Sequence, residues 1–249
     1  MDKLTRKNLK TDKFASEVGH SLEYVAEHRK QAIRYGAAAA VVLVLLAGGY
    51  YFMQSRATAR QEALARALYL KDGVIGPASQ PGDPRPAFAS KADKDKAVLK
   101  AFQDLAGNYS GTNEGAMGHY QLGALAADEG KLDDAAKHFQ SAISDGDSST
   151  ASVARWALAQ VYQAQGKTAE AEKLLRELVA SPTLLVSKDQ ATFSLIRVIA
   201  NSKPAEAHKL LEEMQKATNP VVARNAMQLV SELPSNVVES PATPAPPAK

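Results

Sequence analysis

The chain contains no cysteine, which excludes disulfide staples, thiolate nucleophiles and thiolate metal sites but leaves the compartment open. Aromatic residues make up only 6% of it, with a single tryptophan, so small side chains rather than a deep aromatic core must mediate the packing. Neither sign of charge dominates: 30 Lys and Arg face 27 Asp and Glu, for a net charge of +3. That balance is too mild and too evenly spread for nucleic-acid binding, and no basic stripe with interleaved aromatics is present. Catalytic signatures are missing as well. There is no Gly-rich phosphate loop, no G-x-S-x-G and no kinase motif. The five histidines are His20, His28, His119, His138 and His208, and none shows metal-ligand spacing or an H-E-x-x-H pattern. His119 and His138 can approach one another within one helix pair, but no acidic third ligand is implied. The expectation is a protein that is not an enzyme and needs no cofactor.

What the chain does have begins with an uncharged run, Gly36 to Gln54, bracketed by Arg34 and Arg56. Nineteen helical residues cover about 28 Å, close to the roughly 30 Å hydrocarbon core of a bilayer. The run lacks the polar face of a buried amphipathic helix. Thirty-four or more residues ahead of it are too many for the n-region of a signal peptide, although Ala57-Thr58-Ala59 mimics a cleavage site. Tyr50, Tyr51 and Phe52 cluster at its far end, where aromatics favour the interface. Charges beside the span nearly balance, but the short N-terminal tail adds Lys3, Arg6, Lys7, Lys10 and Lys13. The positive-inside rule therefore predicts a cytoplasmic N-terminus and a long C-terminal part on the other side, which in a bacterial cell is the periplasm.

The expected division is a cytoplasmic basic tail with an amphipathic juxtamembrane helix over 1–35 and a transmembrane helix over 36–54. A helix and a Pro/Gly-rich loop follow over 55–90, then helical repeats over 91–233 and a disordered Pro/Ala-rich tail over 234–249. Ala63, Leu64, Ala67 and Leu68 form a helical stripe after the span. Seven residues of Gly or Pro between Gly73 and Pro86 break that helix. Ser90 is a plausible N-cap for a helix over 91–108.

From Glu114 the chain repeats. Thr168-Ala-Glu-Ala-Glu-Lys-Leu-Leu-Arg-Glu-Leu178 and Pro204-Ala-Glu-Ala-His-Lys-Leu-Leu-Glu-Glu-Met214 lie 36 residues apart and match at seven of eleven positions. The same offset backwards reaches Leu132-Asp-Asp-Ala-Ala-Lys-His-Phe139. A further helical pattern precedes each segment, ending at Gly130, Gly166 and Ser202. Each unit reads as helix, short turn, helix, and such a period marks a helical solenoid. Leu122, Gly123, Ala135, Phe139 and Ala142 fall at the small and large packing positions of tetratricopeptide repeats. Leu158, Ala159, Ala171, Leu175 and Leu178 take those places in the second unit, which has Tyr162 where the first has Ala126. Trp156, on a first helix, is either a core residue or an exposed anchor for a partner.

The order of parts resembles the tetratricopeptide-repeat-like ancillary subunit family of the bacterial SecYEG translocon, single-pass and periplasmic-facing. The resemblance is carried by the single anchor, the Ala-rich helix, and motifs such as Leu122-Gly123 and Ala169-Glu170-Ala171. It implies an all-α chain: one N-terminal transmembrane helix, then a tetratricopeptide-like α-solenoid of helix pairs. It implies protein partners, translocon subunits and periplasmic chaperones among them, at the inner (cytoplasmic) membrane. A scaffold for cell division, pilus or outer-membrane assembly is the alternative with the same physics.

Overall fold

A computed structural model describes residues 29–76 and 84–238. The basic tail, the amphipathic stretch up to residue 28, part of the Pro/Gly loop and residues 239–249 lie outside the described residues. The chain divides into two units, 1–59 and 60–249, and the division falls inside a single 43-residue helix, α1 (Arg29–Lys71).

In the first unit, α1 carries the uncharged run. Its most apolar 18-residue window has a mean hydropathy of 1.9, and none of that window is buried. Val41, Leu43, Leu45 and Tyr51 are all more than half exposed. A lone helix with apolar side chains all round has no core to enter, and this one is long and apolar enough to cross a membrane. The Arg56 guanidinium lies 4.9 Å from the centroid of the Phe52 ring one turn earlier, at the end of the run where the polar residues resume.

The second unit starts with the last turns of α1. Ala63, Leu64, Ala67 and Leu68 pack with Val98, Phe102 and Leu105 of α2 (Lys91–Asn108) in one apolar cluster that also takes in Leu122. Ser90 caps α2, accepting a hydrogen bond from the Asp93 N–H. Between α1 and α2 the chain is pinned by a two-residue parallel ladder, β1 (Val74–Ile75) against β2 (Ala87–Phe88), where the sequence predicts only loop. Gly73 permits it: a Cβ there would sit 2.5 Å from the Phe88 ring and 2.8 Å from the Pro86 carbonyl oxygen.

Helix pairs follow: α3 (Asn113–Asp128) with α4 (Leu132–Asp145), α5 (Ser148–Ala164) with α6 (Thr168–Ala180), and α7 (Lys188–Ile199) with α8 (Pro204–Gln215). Each helix packs on the next in sequence, and α3 also touches α5. First and second helices begin differently. The first helices α3, α5 and α7 are capped by the side chains of Thr112, Asp147 and Ser187. The second helices follow Lys131, Lys167 and Lys203 with no side-chain cap, because a tight turn delivers the chain to them. At Gly130 and Gly166 that turn requires a left-handed residue, φ +75° in both. In each, the next N–H donates back to a carbonyl five residues earlier, Lys131 to Ala126 and Lys167 to Tyr162, both at 2.8 Å.

The stack closes with α9 (Pro220–Leu229), a 3₁₀ turn (Val230–Glu232) and the short helix α10 (Ser235–Val238). Residues 235–238, expected in the tail, thus form a helical turn of their own. Val237 is fully buried, and its carbonyl accepts a hydrogen bond from His208 Nδ1 at 2.6 Å, holding α10 to α8. The chain is all-α, an N-terminal apolar helix followed by helical repeats. Burying a side chain such as Leu175, Leu178, Ile196 or Leu229 contributes about 1.5–3 kcal/mol, so the stack is held by many modest terms.

Candidate interaction groove

The residues expected to pack the repeats occupy helix contacts rather than one site. Leu122 lies in the cluster at α2, and Ala135, Phe139 and Leu158 lie together between the first and second pairs. Ala159, Ala171 and Leu175 belong to the larger cluster that runs on to α10. Ala142 is buried, and Tyr162 is half-buried, with its hydroxyl accepting from Gln140 Nε2 at 2.9 Å. The closest approach is at Gly123, where a Cβ would lie 2.8 Å from the Phe139 ring. At the 36-residue offset this couple becomes Ala159 and Leu175, then Leu195 and Leu211. From the first couple to the second the glycine becomes an alanine and the ring opposite gives way to a leucine; the third couple holds two leucines. Ala135, Ala171 and Ala207 are all completely buried, so each pair closes on an alanine.

Trp156 has a different setting. Its indole N–H donates to Ser194 Oγ at 2.9 Å, which ties α5 to α7. Ser194 stands where Leu122 and Leu158 stand in the earlier pairs, so a packing position has been given to a polar partner. Trp156 lines a groove of about 580 Å³ whose walls are first helices only, α5, α7 and α9 with the following turn. A neighbouring hollow of about 270 Å³ shares Trp156, Ser194 and Arg197 and extends it along α5 past Gln160 and Gln163.

The groove combines two apolar surfaces, Trp156 and Phe193, with a run of amides: Gln190, Asn219, Asn225 and Gln228. Among the described residues, the side-chain amides of Gln190, Asn225 and Gln228 make no hydrogen bond. Of its charged residues, Arg197 Nε donates to Glu232 Oε2 at 3.0 Å, and Asp189 adds one further carboxylate. An amide offers one acceptor and two donors, the complement of a peptide group, and neither depends on the ligand's side chains. Of these residues the sequence singles out only Trp156. The amides occupy exposed helix positions, where no periodicity marks them.

Two polar clusters lie elsewhere. On the second helices, Glu172 accepts from Lys203 at 2.5 Å and pairs with Arg176, which reaches on to Glu206 at 2.7 Å. The Lys203 ammonium, then Arg176, holds the Glu172 carboxyl below its ordinary range. In the first pair, His119 and His138 do meet, with Nδ1 atoms 3.2 Å apart. Their ring centroids are 5.5 Å apart, so the rings meet head-on and share one N–H···N hydrogen bond. One Nδ1 then carries the shared proton and the other's lone pair accepts it, so in this arrangement neither Nδ1 offers a lone pair to a metal ion. Burial lowers both histidines from their usual value, and His119 lowers His138 further. Among the described residues no group of three or more His, Cys, Asp or Glu gathers at one point.

Comparison with known proteins gives one finding for this architecture. The profile of a family described as tetratricopeptide repeat-like domain matches residues 31–184, which takes in the apolar helix and the first two helix pairs. No curated protein matches the chain.

Proposed function

Since the chain belongs to the tetratricopeptide repeat-like domain family, we propose that it is a membrane-tethered, non-enzymatic scaffold whose groove along α5, α7 and α9 holds extended segments of partner proteins. The observation that carries this reading is the groove's lining: two aromatic surfaces between the amides of Gln190, Asn225 and Gln228, which make no side-chain hydrogen bond among the described residues. Such a lining pairs with main-chain groups and rewards any apolar side chain, so it favours extended chains over one particular sequence. The repeat-packing residues, Gly123 against Phe139 and Ala159 against Leu175, set the spacing of the helices that carry it.

We place the anchor at 36–54 in a bacterial inner membrane, residues 1–35 in the cytoplasm and the repeats in the periplasm. There the scaffold serves as an ancillary component of the SecYEG translocon, meeting newly exported chains together with periplasmic chaperones. The basic residues of the N-terminal tail support that orientation. A tether of this kind raises the local concentration of weak binding sites beside a membrane machine.

A photo-cross-linking residue placed at Asn225 or Gln228 in intact membranes tests both parts. The expected products are translocon subunits or exporting chains, lost when Trp156 is replaced by alanine. Cross-links only to division, pilus or outer-membrane assembly proteins would overturn the translocon assignment. Protease added to spheroplasts is expected to digest the repeats; resistance until lysis would reverse the topology.

A further inference from the structure

Residues 239–249 hold a pattern that the scaffold reading leaves unused. After Glu239-Ser240 the sequence is Pro-Ala-Thr, Pro-Ala-Pro, Pro-Ala-Lys, a Pro-Ala-x triplet read three times. A polyproline II helix has three residues per turn, so Pro241, Pro244 and Pro247 share one face and Ala242, Ala245 and Ala248 the next. A segment in that conformation has an apolar edge of proline rings and no internal hydrogen bonds, so its carbonyls would be open to donors.

We infer that residues 239–249 are the groove's own ligand: the proline edge lies along Trp156 and Phe193, and the segment's carbonyls accept from the amides of Gln190, Asn225 and Gln228. This rests on the reading of the groove as a peptide site. The chain arrives at the right place. Glu232, six residues before the last described one, already lines the groove, and the Val237 contact to His208 fixes the departure point. The length also suits. At about 3.1 Å per residue, eleven residues in this conformation cover about 34 Å. A helix with its side chains is about 10–12 Å across, so passing from α9 over α7 to α5 takes roughly 20–25 Å. The chemistry matches on both sides: proline lacks an N–H, so the segment offers mostly acceptors and apolar rings, against amide donors and aromatic faces. A partner must then displace a tethered competitor, and only chains that bind well or arrive at high local concentration do so.

The single tryptophan of the chain sits in this groove, so its fluorescence reads occupancy directly. The experiment uses the detergent-solubilised full chain, a form lacking 239–249, and the triple variant Pro241→Gly, Pro244→Gly, Pro247→Gly. Removal of the segment is expected to make Trp156 more accessible to acrylamide. A synthetic Glu239–Lys249 peptide should reverse this in the shortened form and change nothing in the full chain, and the triple variant should behave as the shortened form. An unrelated extended peptide should bind the shortened form about tenfold more tightly, as expected when a tethered competitor at millimolar effective concentration is removed. Equal quenching in all three forms, with the unrelated peptide still bound, would overturn the inference and leave the peptide site standing. If no peptide binds even the shortened form, the groove reading falls and the inference with it.

Discussion

The first and second helix pairs solve one packing problem with opposite choices. In α3/α4 a glycine receives a phenylalanine ring, with Gly123 having no room for a Cβ beside Phe139; in α5/α6 the same positions hold Ala159 and Leu175. Both pairs close on a fully buried alanine, Ala135 and Ala171. What these two pairs keep nearly constant is the summed volume across the contact, not the residue at either position, whereas the third pair, with Leu195 and Leu211, holds a larger one. Close packing enforces this, because a void or an extra methyl between two helices has no free space to absorb it.

Four changes break or sharpen that comparison. Phe139→Ala has the largest expected effect, about 3–5 kcal/mol, because the void it leaves faces a glycine that cannot fill it. Leu175→Ala should cost less, since Ala159 opposite retains a methyl. Thermal unfolding of the two variants, followed by far-ultraviolet circular dichroism, ranks them; the reverse order would mean the contacts are not equivalent. Gly123→Ala should cost about 1–3 kcal/mol by forcing a methyl into the Phe139 ring. Adding Phe139→Leu should recover most of that loss, converting the first pair to the second pair's solution, and a double variant no more stable than Gly123→Ala refutes compensation.

Smaller effects come from the turns. Gly130→Ala and Gly166→Ala should each cost about 1 kcal/mol, and nearly the same amount, because both have φ +75° and no neighbour within 4 Å of the added Cβ. Only backbone strain is at stake, so unequal losses would point to contacts the turns do not show. The smallest effect separates the pairs by pH. Burial lowers His119 and His138, so each takes up a proton less readily folded than unfolded. Their contribution is fully present above the unfolded value near 6.5 and is lost as pH falls through the lower folded value. Replacing both by glutamine should flatten the acid side of the stability profile below the unfolded value near 6.5, as read by thermal unfolding across pH.

The solenoid was legible because its signals recur. Gly130 and Gly166, Lys131, Lys167 and Lys203, and the three buried alanines all repeat at one offset, and repetition survives the drift of single residues. The β1/β2 ladder was not legible, since two-residue strands are too short to show alternation and their flanks are rich in Gly and Pro. The groove was legible only through Trp156. Its amides are ordinary solvent-facing residues until three first helices bring them together, and the meaning of Ser194 emerges only beside the indole it accepts from.

The same small ladder has a consequence for how this chain tolerates change. Val74 N–H donates to the Pro86 carbonyl and Gly76 N–H to the Phe88 carbonyl, at 2.8 and 2.9 Å, so the two ends of the excursion are clamped before and after residues 77–83. Ser90 then meets α2 in the same register whatever length lies between the clamps. Closing a flexible loop costs only about 0.6 kcal/mol more for each doubling of its length. The segment between Ile75 and Ala87 is therefore a graft point: an epitope, a fluorescent domain or a second binding module inserted there lengthens the chain while leaving the α1/α2 contact unchanged.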